Sequence, residues 1–295
     1  MLNQNLTQPI PESELILNDD GSVYHLNLKR EHVGDIILTV GDPDRVEKVS
    51  QHFDSIDHKI QRREFKTHTG RLGNKRLSVI STGMGTDNVE ILMTELDALV
   101  NIDLEKRTIK EDITKLEIIR LGTSGGLQPE VENGSCILSR YSVGLDTLMN
   151  FYELEQEPME TALATSLQET IGLGFLPYVV QASENLLARF QEVGEEGITL
   201  TAPGFYAPQG RAIRLLPFRN DLIDQYRDFR HQGIRISNFE METAGYYALG
   251  QMFGHECLSC NAIIANRSEN SFSTDPGKVV EEMIKKVLGI ISRQA

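Results

Sequence analysis

The chain has 295 residues, 40% hydrophobic and 24% charged, a composition typical of a globular protein large enough for one α/β domain or two small ones. Its formal net charge of −14 argues against general nucleic-acid binding, which needs a basic surface, although arginines gathered in one place could still bind an anion. Without a signal-peptide pattern or a run of about 18 apolar residues, and with three cysteines, the sequence predicts no membrane segment, no disulfide framework and a cytoplasmic location.

Residues 1–20 are polar and contain Pro9 and Pro11, so we expect a flexible N-terminal arm followed by a single domain over 21–295. Short apolar runs predict strands at 35–40 and 76–82, each ending in a glycine turn. The first strand is followed by a helix beginning near Asp44. After the second, Asp87 and Glu90 form a capping-box-like start of another helix.

The second half of the chain continues the alternation. Strands are predicted at 116–122, 135–141, 177–182, 236–242 and 256–267, and helices at 157–170, at 243–253 and from Asp275 onward. The strongly charged stretch 101–115 is interpreted as a surface excursion. Alternating strands and helices indicate an α/β fold with a largely parallel sheet covered by helices. In such sheets ligands bind beyond the carboxyl ends of the strands.

Glycines occupy several of these strand ends, at Gly41, Gly83, Gly85 and Gly122. A glycine there lets backbone N–H groups approach an anion, but it is equally compatible with a simple tight turn. The sequence contains no GxxxxGK[ST] phosphate loop. It also lacks a dinucleotide fingerprint, because Asn88 stands where the third glycine belongs.

Arg120 lies inside an apolar strand, two residues before Gly122. A charge in such a strand must be compensated, because burying it alone costs several kcal/mol. It therefore requires an anionic ligand or a carboxylate partner, for which Glu240 and Glu242 are candidates. With the hydroxyl of Thr123, the guanidinium could form part of a phosphate site, and a buried ion pair is the alternative.

The loop FYAPQGR (205–211) combines an aromatic ring with amide and guanidinium groups. Gln209 offers one acceptor and two donors, and Arg211 offers donors only. Together they could recognise a planar ring that bears carbonyls and an N–H, with Phe205 stacked on its face. A solvated loop would show the same residues.

In FEMETAG (239–245), Glu240 and Glu242 are separated by one residue, Met241. If extended, they share one face about 6.6 Å apart, which would suit a glycosidase pair. A metal site, a clamp for hydroxyl groups and a solvated edge are further possibilities. The pair Cys257 and Cys260 lacks a second pair or a histidine at ligand spacing, so we interpret it as structural and predict no metal site.

Several stretches together resemble one family. From about residue 21 to its C-terminus, the chain is similar to the nucleoside phosphorylases of the uridine phosphorylase branch. Each stretch carries little weight alone, and the order of all eight makes the resemblance specific. They are VYHL (23–26), VGDPDRVEKV (40–49), RREF (62–65), STGMG (81–85), IRLGTSGGLQ (119–128), FYAPQGR (205–211), FEMET (239–243) and IIANR (263–267).

The resemblance implies a three-layer α/β/α domain with a distorted, mostly parallel central sheet. It also implies reversible phosphorolysis of a nucleoside such as uridine, with inorganic phosphate as co-substrate and no cofactor. Members assemble as dimers with shared active sites, usually three dimers to a hexamer. A monovalent-cation site is not carried over, because Asn88 stands where some members have a serine.

Site residues follow by position from the same resemblance. Four of them, Arg120, Gln209, Arg211 and Glu242, are expected to be catalytic. Phosphate would be bound by Gly41, Arg45, Arg120 and Thr123, with Arg63 donated by a neighbouring subunit. Ribose would be bound by Glu242, Met241 and Glu240, with His25 from the same neighbour, and the base by Phe205, Gln209, Arg211 and Arg267.

The base preference rests on two features. A purine-specific relative is expected to place an aspartate near IIANR to protonate the base, and the stretch NRSENSFSTD (266–275) does not show one there. The Gln209–Arg211 pair favours a pyrimidine. Val40, Ala207, Pro208 and Gly210 depart from the family pattern. A phosphorylase for a purine nucleoside or thymidine, a nucleosidase that uses water, and a nucleoside-binding protein without turnover are the alternatives.

Overall fold

The computed structural model describes residues 8–293. Its helices are α1 (Pro43–Ser50), α2 (Thr86–Asn101), α3 (Pro158–Ile171), α4 (Glu184–Phe190), α5 (Leu222–Asp228), α6 (Thr243–Phe253) and α7 (Pro276–Ser292). Its strands are β1 (Ile36–Val40), β2 (Ser55–Arg62), β3 (Phe65–Leu72), β4 (Lys75–Ser81), β5 (Ile102–Asp103), β6 (Thr108–Ile109), β7 (Glu117–Gly126), β8 (Cys136–Gly144), β9 (Tyr178–Gln181), β10 (Glu195–Thr201), β11 (Arg230–His231), β12 (Ile234–Glu240), β13 (Glu256–Asn266) and β14 (Ser271–Phe272).

The main sheet has the strand order β11-β12-β10-β8-β13-β7-β1-β4-β3-β2. The central neighbours β4, β1, β7 and β13 run parallel, as do β8, β10 and β12. Antiparallel pairs occur at the edges and where β8 meets β13. The predicted α/β/α class with a distorted, mostly parallel sheet is confirmed.

The distortion comes from β12, which pairs with β10 and also with β7. The strands β7, β13, β8, β10 and β12 therefore close on one another. Gly125 faces Phe239 across the β7–β12 pair, and a Cβ on Gly125 would lie 3.0 Å from the Phe239 ring. Because this position has no side chain, β7 continues to Gly126 instead of ending at residue 122 as predicted. The closure brings the end of β12 beside β7.

Helices α2 and α6 pack on each other and begin at the same end of the sheet. A Cβ on Gly245 in α6 would lie 3.1 Å from the Thr86 side chain, so the two helix starts are in close contact. Tyr247 of α6 donates to Ser139 O and accepts from Ser259 N, which ties the buried helix to β8 and β13. These contacts hold the N-termini of α2 and α6 at the carboxyl ends of the strands.

The predicted N-cap of α2, Asp87, was wrong by two residues. The helix begins at Thr86, with Gly85 as its N-cap at φ 100°, and Asp87 lies within the first turn. A glycine reaches this φ without a steric cost, whereas a capping side chain would be strained there. Several elements were not predicted, among them the hairpin β2–β3, the strand β10 and the helices α4 and α5. The hairpin places Arg63 at its turn, with φ 54°.

The charged stretch 101–115 contains the two-stranded hairpin β5–β6. Residues 8–20 pack against it: Ile10 N donates to Arg107 O, and the Arg107 guanidinium donates to the carbonyls of Ile10, Pro11 and Leu15. Residues 1–7 of the expected arm lie outside the described residues. The two segments that the sequence presents separately therefore contact each other.

Candidate active site

The glycine turns after β1 and β4 meet the ends of β7 and β12 at one edge of the sheet. They surround a cavity of about 510 Å³. Its walls are polar at one end and largely apolar at the other. The lining residues are Gly41, Asp42, Pro43, Arg45, Gly83, Met84, Arg120, Thr123, Ser124, Gly125, Phe205, Gln209, Arg211, Phe239, Glu240, Met241, Glu242, Ile264, Ala265 and Phe272.

Arg120 is the buried centre of the polar end, with 5% of its surface exposed. Its Nη2 lies 2.5 Å from Glu242 Oε2 and 3.2 Å from Glu240 Oε2, and its Nη1 donates to Asn261 Oδ1 at 3.0 Å. Burial alone lowers the pKa of Arg120, and the two carboxylates more than offset this, so its pKa is raised. The carboxylate partner that the sequence requires is therefore present twice.

The two glutamates differ in conformation and in partners. Strand β12 ends at Glu240, and Glu242 has left the extended conformation to become the N-cap of α6, with ψ −32°. The shared extended face considered for a glycosidase pair does not exist. Both carboxylates instead converge on one guanidinium.

Glu240 is held by the backbone around it. Its Oε2 accepts from the N–H groups of Glu242 and Thr243, at 2.8 and 2.9 Å, and its Oε1 accepts from Thr201 Oγ1 at 2.6 Å. With Arg120 this makes four donors, which is about the capacity of a carboxylate. Glu240 is thus occupied as a supporting group at the start of α6.

Glu242 retains more capacity than Glu240. Its Oε1 accepts from Gly85 N at 2.8 Å and its Oε2 from Arg120. Burial is the largest cause that raises the pKa of Glu242; Glu240 adds to it and Arg120 opposes it. About two lone-pair sites are left, and they face a cavity that Met241 also lines. This carboxylate can accept hydrogen bonds from a ligand.

Arg45 stands beside Arg120 in the same wall. Its Nη1 donates to Leu121 O at 3.2 Å, and within residues 8–293 no carboxylate forms an ion pair with it. Burial is the main cause that lowers the pKa of Arg45, and the charge of Arg120 adds to it. A half-buried cation with so few partners is suited to bind an anion.

The apolar end carries a second group of donors. Arg211 Nη1 donates to Gln209 Oε1 and to Phe205 O, both at 2.6 Å, and Arg267 Nη1 donates to Gln209 O at 3.2 Å. Burial and the nearby charge of Arg267 lower the pKa of Arg211 to about 10. The guanidinium therefore remains a cation at neutral pH.

Phe239 forms the aromatic wall that sequence reasoning missed. Phe205, which we expect to stack on a planar ring, also lines the cavity; it is half exposed, and the Arg211 guanidinium lies 3.7 Å from its ring centroid. Phe239 is buried, lines the cavity, and has Arg211 and Arg267 at 5.7 and 5.9 Å from its ring. Its place before Glu240 in FEMETAG was the only signal in the sequence.

His25 and Arg63 do not line the cavity of their own chain. Both instead lie against Tyr24. The centroids of the His25 and Tyr24 rings are 4.8 Å apart in an edge-on contact, and the Arg63 guanidinium lies 6.0 Å from the centroid of the Tyr24 ring. The structure thus groups the two residues expected to serve a neighbouring subunit and separates them from the other site residues.

The model of the phosphorylase superfamily matches residues 35–293 of this chain. The chain belongs to the phosphorylase superfamily. It is 31% identical to a uridine phosphorylase of Thermococcus kodakarensis over 257 residues, covering 86% of this chain and 81% of that protein. A uridine phosphorylase of Escherichia coli is 27% identical and covers 84% of the chain and 87% of its own length.

Solved structures of the superfamily agree with the fold. A nucleoside phosphorylase of Trypanosoma brucei, described as showing uridine phosphorylase activity, superimposes with a TM-score of 0.86 at 26% identity over 94% of this chain and 98% of that one. A purine nucleoside phosphorylase of Toxoplasma gondii superimposes with a TM-score of 0.69 at 19% identity, over 95% and 100%. A nucleoside phosphorylase fold and enzyme class are therefore shared across nearly the whole chain.

Along residues 8–293, none of the helices combines the length and apolar sequence that a membrane crossing needs. In the same range no group of three or more His, Cys, Asp or Glu side chains is placed to hold a metal ion. Cys257 and Cys260 are buried in β13 as free thiols, and burial raises the pKa of both.

Gly122 gives Arg120 the space to fold back along β7. A Cβ at this position would overlap Arg120 Nη1, so we expect Gly122→Ala to lower the free energy of unfolding by about 1–3 kcal/mol, the cost of overpacking. Urea unfolding measures it. Gly289→Ala in α7 is the matched control, because its Cβ would meet nothing within 4 Å and alanine favours a helix. Equal stability of the two variants would contradict this packing of Arg120.

Proposed function

We propose that this superfamily member is a uridine phosphorylase, which converts uridine and phosphate reversibly to uracil and ribose 1-phosphate. The observation that carries the proposal is the single cavity in which Arg45 and Arg120 at one end are joined through Glu242 and Met241 to Gln209 and Arg211 at the other. This order matches phosphate, ribose and base. Pyrimidine nucleoside salvage in the cytoplasm belongs to the same proposal, and the buried free thiols of β13 suit a reducing compartment.

At the phosphate end, Arg45 and Arg120 would bind the anion with the hydroxyl of Thr123 and the backbone at Gly41. A Cβ on Gly41 would lie 3.3 Å from Gly83 O, so the two glycine turns are in contact and leave the backbone accessible. The bound phosphate would be held below the sugar as the nucleophile. Holding it in line with the anomeric carbon lowers the entropic part of the barrier.

At the sugar, Glu242 would accept hydrogen bonds from ribose hydroxyls while Met241 packs beneath the ring. Glu240 keeps the start of α6 in place and shares Arg120 with Glu242. Glu242 would therefore act as the ribose clamp and Glu240 as its support. Phosphate, not water, would be the nucleophile. No covalent enzyme intermediate is required.

At the base, cleavage of the glycosidic bond leaves negative charge on uracil and an oxocarbenium-like ribose. Gln209 Oε1 already accepts from Arg211, so the Gln209 amide N–H groups point to a base carbonyl, and Arg211 and Arg267 supply positive charge. Donors fixed before the reaction stabilise such developing charge without reorganisation. Phe239 would give the ring an apolar wall.

A purine nucleoside is the second candidate, because a purine nucleoside phosphorylase of Alkaliphilus metalliredigens is 26% identical over 236 residues, 80% of this chain and 84% of that protein. Within the described lining, the carboxylates are Asp42, Glu240 and Glu242, all beside the arginines of the phosphate end or the sugar. The base end contributes Gln209 and Arg211 instead. Uridine is therefore favoured.

The deciding experiment is a phosphorolysis assay with uridine, thymidine, cytidine and inosine, each with and without phosphate. We expect phosphate-dependent release of uracil from uridine and little release of hypoxanthine from inosine. Base release that does not need phosphate would identify a nucleosidase. Uridine binding without turnover would identify a binding protein.

Arg211→Ala should remove base recognition. We expect kcat/KM for uridine to fall by about 10²–10³, the effect of losing one donor to a developing charge, while KM for phosphate changes little. Steady-state kinetics with each substrate varied in turn measure both. Arg214→Ala is the matched control, since this exposed arginine of the same loop lies outside the cavity lining. Equal loss for both substrates in Arg211→Ala would refute the assignment of the loop to the base.

Charge balance supports a shared site. At the phosphate end of one chain the cations Arg45 and Arg120 face the carboxylates Asp42, Glu240 and Glu242, so a phosphate dianion adds uncompensated negative charge. Arg63, exposed at a hairpin turn, would supply a further cation from a neighbouring subunit. His25, held beside it through Tyr24, would reach the ribose of that same site. The proposed assembly is therefore a dimer with two shared sites, and the family resemblance extends it to a hexamer of three such dimers.

Mixed oligomers test the shared site. Arg63→Ala and Arg120→Ala should each be inactive, and co-refolding them should restore about a quarter of the wild-type activity, because half the dimers are mixed and each then has one intact site. Arg45→Ala mixed with Arg120→Ala is the control. Both of those residues belong to one chain's half of the site, so no activity should return. Activity that stays absent in the first mixture would refute donation of Arg63.

A further inference from the structure

Glu95, in the middle of α2, collects three N–H groups from one segment of the chain. Its Oε1 and Oε2 accept from His25 N at 2.9 and 3.0 Å, its Oε2 accepts from Leu26 N at 2.8 Å, and its Oε1 lies 2.7 Å from His25 Nδ1. The carboxylate is 14% exposed and the imidazole 28%. One acidic side chain therefore fixes both the backbone and the ring of His25.

The chemistry of this contact determines the tautomer. A carboxylate can only accept, so the proton between the two groups lies on Nδ1 of the imidazole. The Nε2 atom takes no part in that contact, and among residues 8–293 it has no hydrogen-bond partner. Nε2 accepts a hydrogen bond when the ring is neutral and donates one when it is protonated.

Helix α2 also separates His25 from the ribose clamp of its own chain. Gly85, at the start of the helix, holds Glu242, and Glu95 lies ten residues further on, about 15 Å along the axis. An imidazole anchored there cannot reach the sugar that Glu242 holds. The same helix thus serves one site at its N-terminus and presents His25 to another.

We propose that Glu95 is a positioning residue, which holds His25 in the Nδ1–H tautomer and aims Nε2 at the ribose bound by a neighbouring subunit. The inference rests on the proposed function, because it assumes that His25 contacts the nucleoside. The arrangement resembles the way in which a carboxylate orients a catalytic or metal-binding histidine through its other nitrogen. Tyr24, edge-on to the same ring, limits its rotation from the other side.

Glu95→Gln tests the role with almost no change in volume. An amide oxygen replaces only one of the two acceptor oxygens, and the amide NH₂ faces N–H donors. We expect KM for uridine to rise about five- to tenfold, as for one lost hydrogen bond, with KM for phosphate unchanged. Glu95→Asp keeps a carboxylate and should lose less. Glu90→Gln is the control, from the same helix, where the carboxylate accepts only from Tyr152 OH among the described residues.

A double-mutant cycle separates positioning from a structural effect. If Glu95 acts through His25, Glu95→Gln combined with His25→Ala should be no worse for uridine than His25→Ala alone. Additive losses would overturn the proposal. In parallel, ¹⁵N spectra of ring-labelled histidines, with His25→Ala to assign the signal among seven histidines, should show a protonated Nδ1 in the wild type. A bare Nδ1 would overturn the proposal even if the Glu95 variants fail to fold.

Different results would refute the proposed function and the positioning role of Glu95. A wild-type protein that releases no uracil from uridine with phosphate refutes the proposed function, and with it a role for Glu95 toward ribose. Wild-type phosphorolysis together with an unchanged KM for uridine in Glu95→Gln refutes the positioning role alone.

Discussion

The guanidinium of Arg120 is a charge that cannot stay in the interior of a strand without partners. Left unpaired it would cost several kcal/mol, and its partners come from distant parts of the sequence. Glu240 and Glu242 reach it from the junction of β12 and α6, and Asn261 reaches it from β13. This single requirement joins the strands that carry the cavity and fixes where α6 begins.

The sheet geometry makes that pairing possible. Closure of β12 onto β7 at Gly125 brings the end of one strand beside the middle of the other, and Gly122 leaves room for the arginine to fold back. Glu240 fills its acceptors with backbone N–H groups, so Glu242 is the carboxylate with capacity to spare. The difference between a glutamate filled by protein donors and one with acceptor sites left is therefore a result of the fold.

The charges of the cavity bear on the assembly that we propose. At its phosphate end two arginines face three carboxylates, and a bound phosphate would add further negative charge. The remaining groups of the family pattern, Arg63 and His25, lie around Tyr24 outside the cavity. A pocket in need of a further cation and a separate pair of side chains outside it are what the proposed division of an active site between subunits would require.

Features of the fold and the cavity that depend on local physics could be predicted from the sequence. The order of strands and helices followed from hydrophobic periodicity, and the need of Arg120 for a carboxylate followed from the cost of burying its charge. Where local rules compete, prediction failed. Gly85 replaced Asp87 as the cap of α2 because the turn requires a positive φ. Phe239 was not predicted to line the cavity, because its place there depends on the closure of β12 onto β7.

The sequence by itself determined the α/β class and the family, and it supplied the residues that we propose to bind phosphate, ribose and base. Only the tertiary structure decided which of these residues contact one another and which line the cavity. It showed that Glu240 and Glu242 converge on Arg120 instead of forming an extended pair, that Glu95 anchors His25, and that Arg63 and His25 lie outside their own cavity. These are contacts between residues far apart in the chain. They depend on how the sheet closes and the helices pack, which no local pattern of residues records.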